Sequence, residues 1–368
     1  AGLTGSLNDF DIAAAELSST GQPGVAGTTE TVPAGWVLTD ISCEGATNSI
    51  VSIGGTNGFV AGDTDVSVQL AAGETVVCTY TNTKDGSLTI VKDAVGSDGA
   101  FNFNHNVPAV ASPFIIDTSV DNINVLSTSL QPGTYNVSEV TPSGWDLTNI
   151  VCSGDTDSSI TIGGAGGYDP GDTGITVDMV SGEDISCTFT NTRRSSLELV
   201  KTVVNDNGGT AVETDWTLSA DGPTPLSGDG GVAATEVLPG NYVLSETAGP
   251  AGYTAGSWSC TAGTLNGSTV DLGPGQVAVC TIVNDDDAAS LALVKSVTND
   301  DGGTAEETDW TLSASGPTPL SGAGGVAATP VSAGTYTLSE SGGPPGYTAG
   351  DWSCTGGVLT GASLELVL

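Results

Sequence analysis

Three of the four lysines in this 368-residue chain end the same hexapeptide, SLTIVK at 87–92, SLELVK at 196–201 and SLALVK at 290–295. The repeat extends well beyond the hexapeptide. ETDWTLSADGPTPLSGDGGVAAT (213–235) returns as ETDWTLSASGPTPLSGAGGVAAT (307–329). Near-copies of this length must fold as a series of like units, and this restricts the architecture more than any single residue does. Alignment of the copies gives four domains. Residues 86–194 and 195–287 are complete, 1–85 lacks the first, lysine-bearing strand, and 288–368 lacks the last strand. From the last Asn of one copy to the Lys of the next is ten residues (Asn82 to Lys92, Asn191 to Lys201) or eleven (Asn284 to Lys295), so an end-to-end rod is expected.

Short alternating segments between turn residues predict an all-β chain of Ig-like sandwiches, consistent with 53 Gly and 17 Pro. One stretch, DFDIAAAEL (9–17), reads instead as a helical turn or two. Six Lys plus Arg stand against 43 Asp plus Glu, a net charge of -37. Phosphate binding needs clustered cations, so nucleic acid and anionic membrane are poor partners, and no apolar run is long enough to span a bilayer. The opening residues do not read as a signal peptide, and the closing ones do not read as a sortase-type signal.

Seven cysteines without a CxxC pair argue against zinc and thioredoxin-like chemistry. Their regular placement pairs Cys43 with Cys78, Cys152 with Cys187 and Cys260 with Cys280, and leaves Cys354 over. Buried thiols are the alternative; disulfides would imply an oxidising, extracellular setting.

Strand parity carries the functional argument. Side chains alternate between faces, so Lys92 shares a face with Leu88 and Ile90, Glu139 with Tyr135 and Val137, and Asn191 with Cys187 and Phe189. The next copy repeats the set as Lys201, Glu246 and Asn284. The incomplete copies hold partial sets, Glu30 with Asn82 and Lys295 with Glu340. A lone charge on an apolar face is costly. Three arrangements relieve that cost: a buried ion pair with an amide hydrogen bond, lysine heads that reach water, or a covalent bond. For the last, burial would neutralise both Lys and Glu; the amine would then attack the Asn carboxamide and release ammonia.

The lysine strand, the Y-x-x-x-E-x-x-P-x-G-[WY] element and the terminal strand ending in Asn resemble the SpaA/CnaB prealbumin-like domains of bacterial surface proteins. The resemblance spans essentially the whole chain. It implies a prealbumin-like sandwich with adjacent first and last strands, and Lys–Asn isopeptide bonds at Lys92–Asn191 and Lys201–Asn284 assisted by Glu139 and Glu246.

Several weaker patterns remain. Asp206, Asp300 and Asp301 lie in Asp/Asn-rich stretches before Gly-Gly; they are calcium candidates, with hairpin turns as the alternative. No other cofactor is expected. Trp216 and Trp310 read as core residues or carbohydrate-stacking surfaces. SLELVL (363–368) resembles a lysine strand without its lysine, which makes Leu364, Leu366 and Leu368 candidates for strand exchange into the first copy of another molecule. The alternative is a window from a longer tandem array. The functional expectation is a non-enzymatic, extracellular or cell-surface fibre protein, an adhesin stalk or filament subunit. Its partners would be head-to-tail copies of itself or further repeats of the same polypeptide. An adhesive module recognising a glycan or a surface protein is the second reading.

Overall fold

The computed structural model describes residues 4–6, 12–18 and 24–368. The chain divides into two units, Ala1–Arg193 and Arg194–Leu368, each holding two hydrophobic cores. The described segments are β throughout, apart from single 3-10 turns at Glu213–Asp215 and Glu307–Asp309.

The second copy shows the plan. A lysine strand, Gly86–Val95, runs between Ile123–Leu130 and a closing strand, Asp184–Arg193, whose far side pairs with Trp145–Ser153. The lysine and closing strands are parallel, with Lys92 opposite Phe189; the other pairs in this sheet are antiparallel. A five-stranded antiparallel sheet built around the glutamate strand, Gly133–Val140, faces it. Period-two alternation sends Leu88, Ile90, Phe101, Phe103, Val137, Ile185 and Phe189 into the space between the sheets. Tyr135 caps one edge of this core and donates its hydroxyl to Gln131 O at 2.7 Å.

The third copy repeats the plan with lysine strand Ser195–Val204, glutamate strand Gly240–Glu246 and closing strand Val277–Asp286. In the fourth, Ala289–Val294 pairs with Gly325–Val331, and among the described residues no closing strand lies beside it. In the first, the closing strand Thr75–Lys84 is flanked by Ile12–Ser18, which runs antiparallel to it with Ala15 opposite Cys78. The helical expectation for 9–17 is therefore wrong from residue 12 onward, and residues 9–11 lie outside the described residues. Alanine favours helix in isolation, but an unpaired edge of the closing strand offers the segment a ladder of backbone hydrogen bonds.

The strand-exchange candidates of 363–368 sit in the chain's own sandwich. Ser363–Leu366 pairs with Gly334–Gly342 and Val358–Thr360 inside its own sandwich, and Leu364 is buried there. It corresponds to Thr269–Leu272 of the third copy, which sits between Gly240–Glu246 and Thr264–Asn266. The same alternation suits either position, and in this structure Leu364 lies opposite Tyr336 in the core of the fourth copy.

A recurring carboxylate fastens the loop after the first cysteine of each pair in the first unit. Glu74 accepts from Asn48 N (2.6 Å), Asn48 Nδ2 (2.8 Å), Ser49 N (2.9 Å) and Ser49 Oγ (2.6 Å). Glu183 accepts likewise from Thr156, Asp157 and Ser158 backbone N–H groups. The Ser49 hydroxyl leads the effects that pull the Glu74 carboxyl from 4.5 down to about 2. A depressed carboxyl favours the folded loop above the unfolded value and loses that contribution as pH falls through the folded one. The Asn48 amide resonance should therefore titrate near pH 2; a midpoint near 4.5 would show that the carboxylate does not hold this loop.

Candidate functional site

In the second copy the structure brings Lys92, Glu139 and Asn191 together between the sheets, at 1%, 4% and 0% exposure. They arrive from three strands: lysine, glutamate and closing. Lys92 Nζ donates to Asn191 Oδ1 at 2.8 Å, to Phe189 O at 2.6 Å and to Asp93 O at 3.0 Å. Asn191 Nδ2 donates to Glu139 Oε1. The second carboxyl oxygen, Oε2, stands 3.7 Å from Lys92 Nζ and has no hydrogen bond. The Phe101 ring closes the site, its centroid 4.3 Å from Nζ.

Burial shifts both ionisable groups toward neutrality. It lowers the Lys92 amine from 10.5 to about 8 against the opposing pull of Glu139, and it raises the Glu139 carboxyl against the opposing pull of Lys92 and Asn191. A nucleophile, an amide in contact with it and a carboxyl bonded to that amide share one buried pocket. That arrangement can perform acyl transfer.

The other copies hold variants of the set. In the third, Lys201 Nζ donates to Glu246 Oε2 at 2.9 Å and Asn284 Nδ2 to Glu246 Oε1 at 3.1 Å, so the carboxylate stands between amine and amide. Asn284 Oδ1 is buried without a hydrogen bond. In the fourth, Lys295 and Glu340 pair at 2.7 Å. In the first, Asn82 Nδ2 donates to Glu30 Oε1 at 2.5 Å, while Asn82 Oδ1 and Glu30 Oε2 are buried without partners among the described residues.

The aromatic wall was not legible as part of this site. Lys201 Nζ lies 4.8 Å from the Trp216 ring centroid and Lys295 Nζ 4.7 Å from that of Trp310. Both tryptophans are buried, at 2% and 5% exposure, which rules out stacking on a carbohydrate from the surface. The available signal was positional: each aromatic lies at or just before the start of the strand after the lysine strand.

Three disulfides form, Cys43–Cys78, Cys152–Cys187 and Cys260–Cys280, and Cys354 is exposed and unpaired. In the second copy the disulfide clamps the closing strand to Trp145–Ser153, whereas the Lys92–Asn191 contact lies toward the lysine strand. One strand is thus held on two different sides.

Of the calcium candidates, Asp206 gathers with Asp285 and Asp286, while Asp300 and Asp301 join no such group among the described residues. Asp286 accepts from Asn207 N at 2.9 Å and Gly209 N at 2.6 Å. Burial opposes its ionisation, but these backbone donors outweigh it and lower the carboxyl. Asp286 therefore acts as the hydrogen-bond anchor of the 205–209 turn.

Family models described as prealbumin-like fold domains match residues 5–84 and 88–193 in one SpaA type and 193–282 and 286–368 in another. The chain belongs to the SpaA-type prealbumin-like domain family. Several solved structures resemble it. The Bacillus anthracis TIE protein is 16% identical over 99% of this chain and 70% of its own, with a TM-score of 0.37. The pilus adhesin SpaC from Lactobacillus rhamnosus GG is 12% identical over 91% of this chain and 49% of its own, at 0.29. The major pilin T3.2 from Streptococcus pyogenes serotype GAS13637 is 18% identical over 55% of this chain and 98% of its own, at 0.23. No curated protein matches the chain. The SpaA-type assignment rests on the family models, which together span nearly every residue.

Proposed function

We propose that this chain is a structural part of an extracellular or cell-surface fibre, an adhesin stalk or filament subunit, made resistant to force by disulfides and by an internal Lys92–Asn191 isopeptide bond. The observation that supports it is the contact of Lys92 Nζ with the Asn191 carboxamide in a buried pocket between the first and last strands of one sandwich. In the reaction, the neutral Lys92 Nζ bonds to Asn191 Cγ while the protonated Glu139 gives its proton to Nδ2. The Cγ–Nδ2 bond breaks, ammonia leaves, and Glu139 takes back a proton from Nζ. An amide is a poor electrophile, but holding the groups in contact is worth about 7–11 kcal/mol of the barrier. Each site reacts once, so the chain is not an enzyme acting on other molecules. The third copy keeps its triad as an ion pair with an amide hydrogen bond, because Glu246 lies between Lys201 and Asn284.

Disulfides favour an oxidising compartment outside the cytosol. The strongly acidic surface keeps fibre units soluble and repels polyanions. Partners are further units of the same kind.

Single-molecule extension tests the mechanical reading. With Lys92 joined to Asn191, force bypasses residues 93–190, and the second copy yields none of that hidden length. Release of the full segment, about 330 Å of extended chain, would overturn the proposal.

A further inference from the structure

A single residue joins the first copy to the second. The closing strand of the first, Thr75–Lys84, runs to Lys84, and the lysine strand of the second, Gly86–Val95, begins at Gly86, so only Asp85 lies between two paired strands. Such a link has two soft backbone dihedrals, and whether it swivels depends on what its own polar groups touch. Asp85 is 7% exposed, and its backbone and side chain reach to different copies. The N–H turns back to the first copy and donates to Gly35 O at 2.9 Å, next to the ladder pair of Trp36 with Lys84. The carboxylate turns forward to the second copy. Oδ2 accepts from the Ser129 hydroxyl and Oδ1 from the Gln131 carboxamide, at the end of Ile123–Leu130, the strand that pairs with the lysine strand.

The chain on either side of Asp85 is held as well. Gly86 passes so close to the turn at 179–183 that a β-carbon added to it would lie 2.8 Å from both Glu183 O and Met179 Sδ. Ser87 N donates to Glu183 O at 2.9 Å. The Lys84 side chain lies against Gly182 of the same turn, its Cδ 3.1 Å from the place of a β-carbon there. The third copy offers a comparison. Asp287 follows its closing strand at the corresponding position, and its N–H donates to Gly252 O at 2.8 Å as that of Asp85 does to Gly35 O. Its side chain, however, is exposed and accepts from the Thr254 hydroxyl of its own copy at 2.7 Å. The backbone bond thus belongs to the repeat, and the forward-turned carboxylate belongs to Asp85.

We infer that Asp85 is a clasp that locks this joint, so that the first two copies turn as one body instead of swivelling on their link. Rotation about the link must break either the bond to Gly35 or the bonds to Ser129 and Gln131. Breaking the second set leaves a buried carboxylate without its donors, which is unfavourable until the joint opens to water. Removing the carboxylate leaves the Gly35 bond alone, and the clasp becomes a hinge. The inference goes beyond the fibre reading: it concerns the motion of two copies within one chain, and it holds whether or not an isopeptide bond forms or the chain builds a fibre.

Residual dipolar couplings of the full chain, perdeuterated and weakly aligned in a neutral stretched gel, test it. In the parent, amides of residues 36–84 and of residues 86–193 should fit one alignment tensor of one magnitude. In Asp85→Ala the two sets should lose that common tensor and report unequal magnitudes. Amide shifts in the two cores, at Val66 and Phe103, should stay in place, which shows that both sandwiches remain folded. A second variant, Ser129→Ala with Gln131→Ala, leaves Asp85 and the linker backbone untouched and should separate the tensors in the same way. Should Asp85→Ala fail to fold, this double variant decides alone. Separate tensors already in the parent, or a common tensor retained in either folded variant, would overturn the inference.

Discussion

Glu139→Gln protein is expected to show its full sequence mass after reduction and to lose several kcal/mol of stability in the second copy. Glutamine keeps the shape and accepts the Asn191 amide hydrogen bond, but it cannot carry a proton from Lys92 to Nδ2. The amine and amide then remain in contact and unreacted. Lys92 and Asn191 are 99 residues apart. Treated as a crosslink that restricts the unfolded chain, a bond closing that loop contributes about 4.7 kcal/mol. The Cys152–Cys187 disulfide, at a separation of 35, contributes about 3.8 kcal/mol by the same relation. Denaturant unfolding of the reduced parent and variant measures the difference. Equal stability and equal ammonia deficits in the two proteins would mean that Glu139 takes no part.

Phe189→Ala should destabilise the second copy by about 3–5 kcal/mol. Phe189 is fully buried on the closing strand and meets the Phe103 ring edge-on at 5.2 Å. Its carbonyl also accepts from Lys92 Nζ at 2.6 Å, so a cavity here loosens the wall that positions the amine. The denaturant midpoint should fall with little change in slope. Val151→Ala, on the neighbouring strand and 55% exposed, should stay within about 0.5 kcal/mol of the parent. Similar costs for the two substitutions would show that the closing strand is not the centre of this core.

The β architecture and the inward placement of lysine, glutamate and asparagine were readable because period-two alternation is a local property. Lys92 lies two residues after Ile90 and four after Leu88, and parity alone puts it among them. The cysteine pairs were readable from their repeated positions. Three features were not. The order of groups within a triad depends on fractions of an ångström between strands far apart in sequence, so nothing distinguishes Lys92 touching its amide from Lys201 held off by Glu246. The fate of SLELVL depended on which neighbours Leu364 finds, since one alternating pattern suits two positions in the sandwich. IAAAELS became a strand because a neighbouring edge needed a partner, which is a tertiary effect that local propensity does not register.

Intact mass of the reduced protein, followed by peptide mapping, tests the central claim most directly. The account predicts a deficit of one ammonia and a branched peptide joining Lys92 to Asn191. Full sequence mass, with both residues recovered in separate linear peptides, would contradict it.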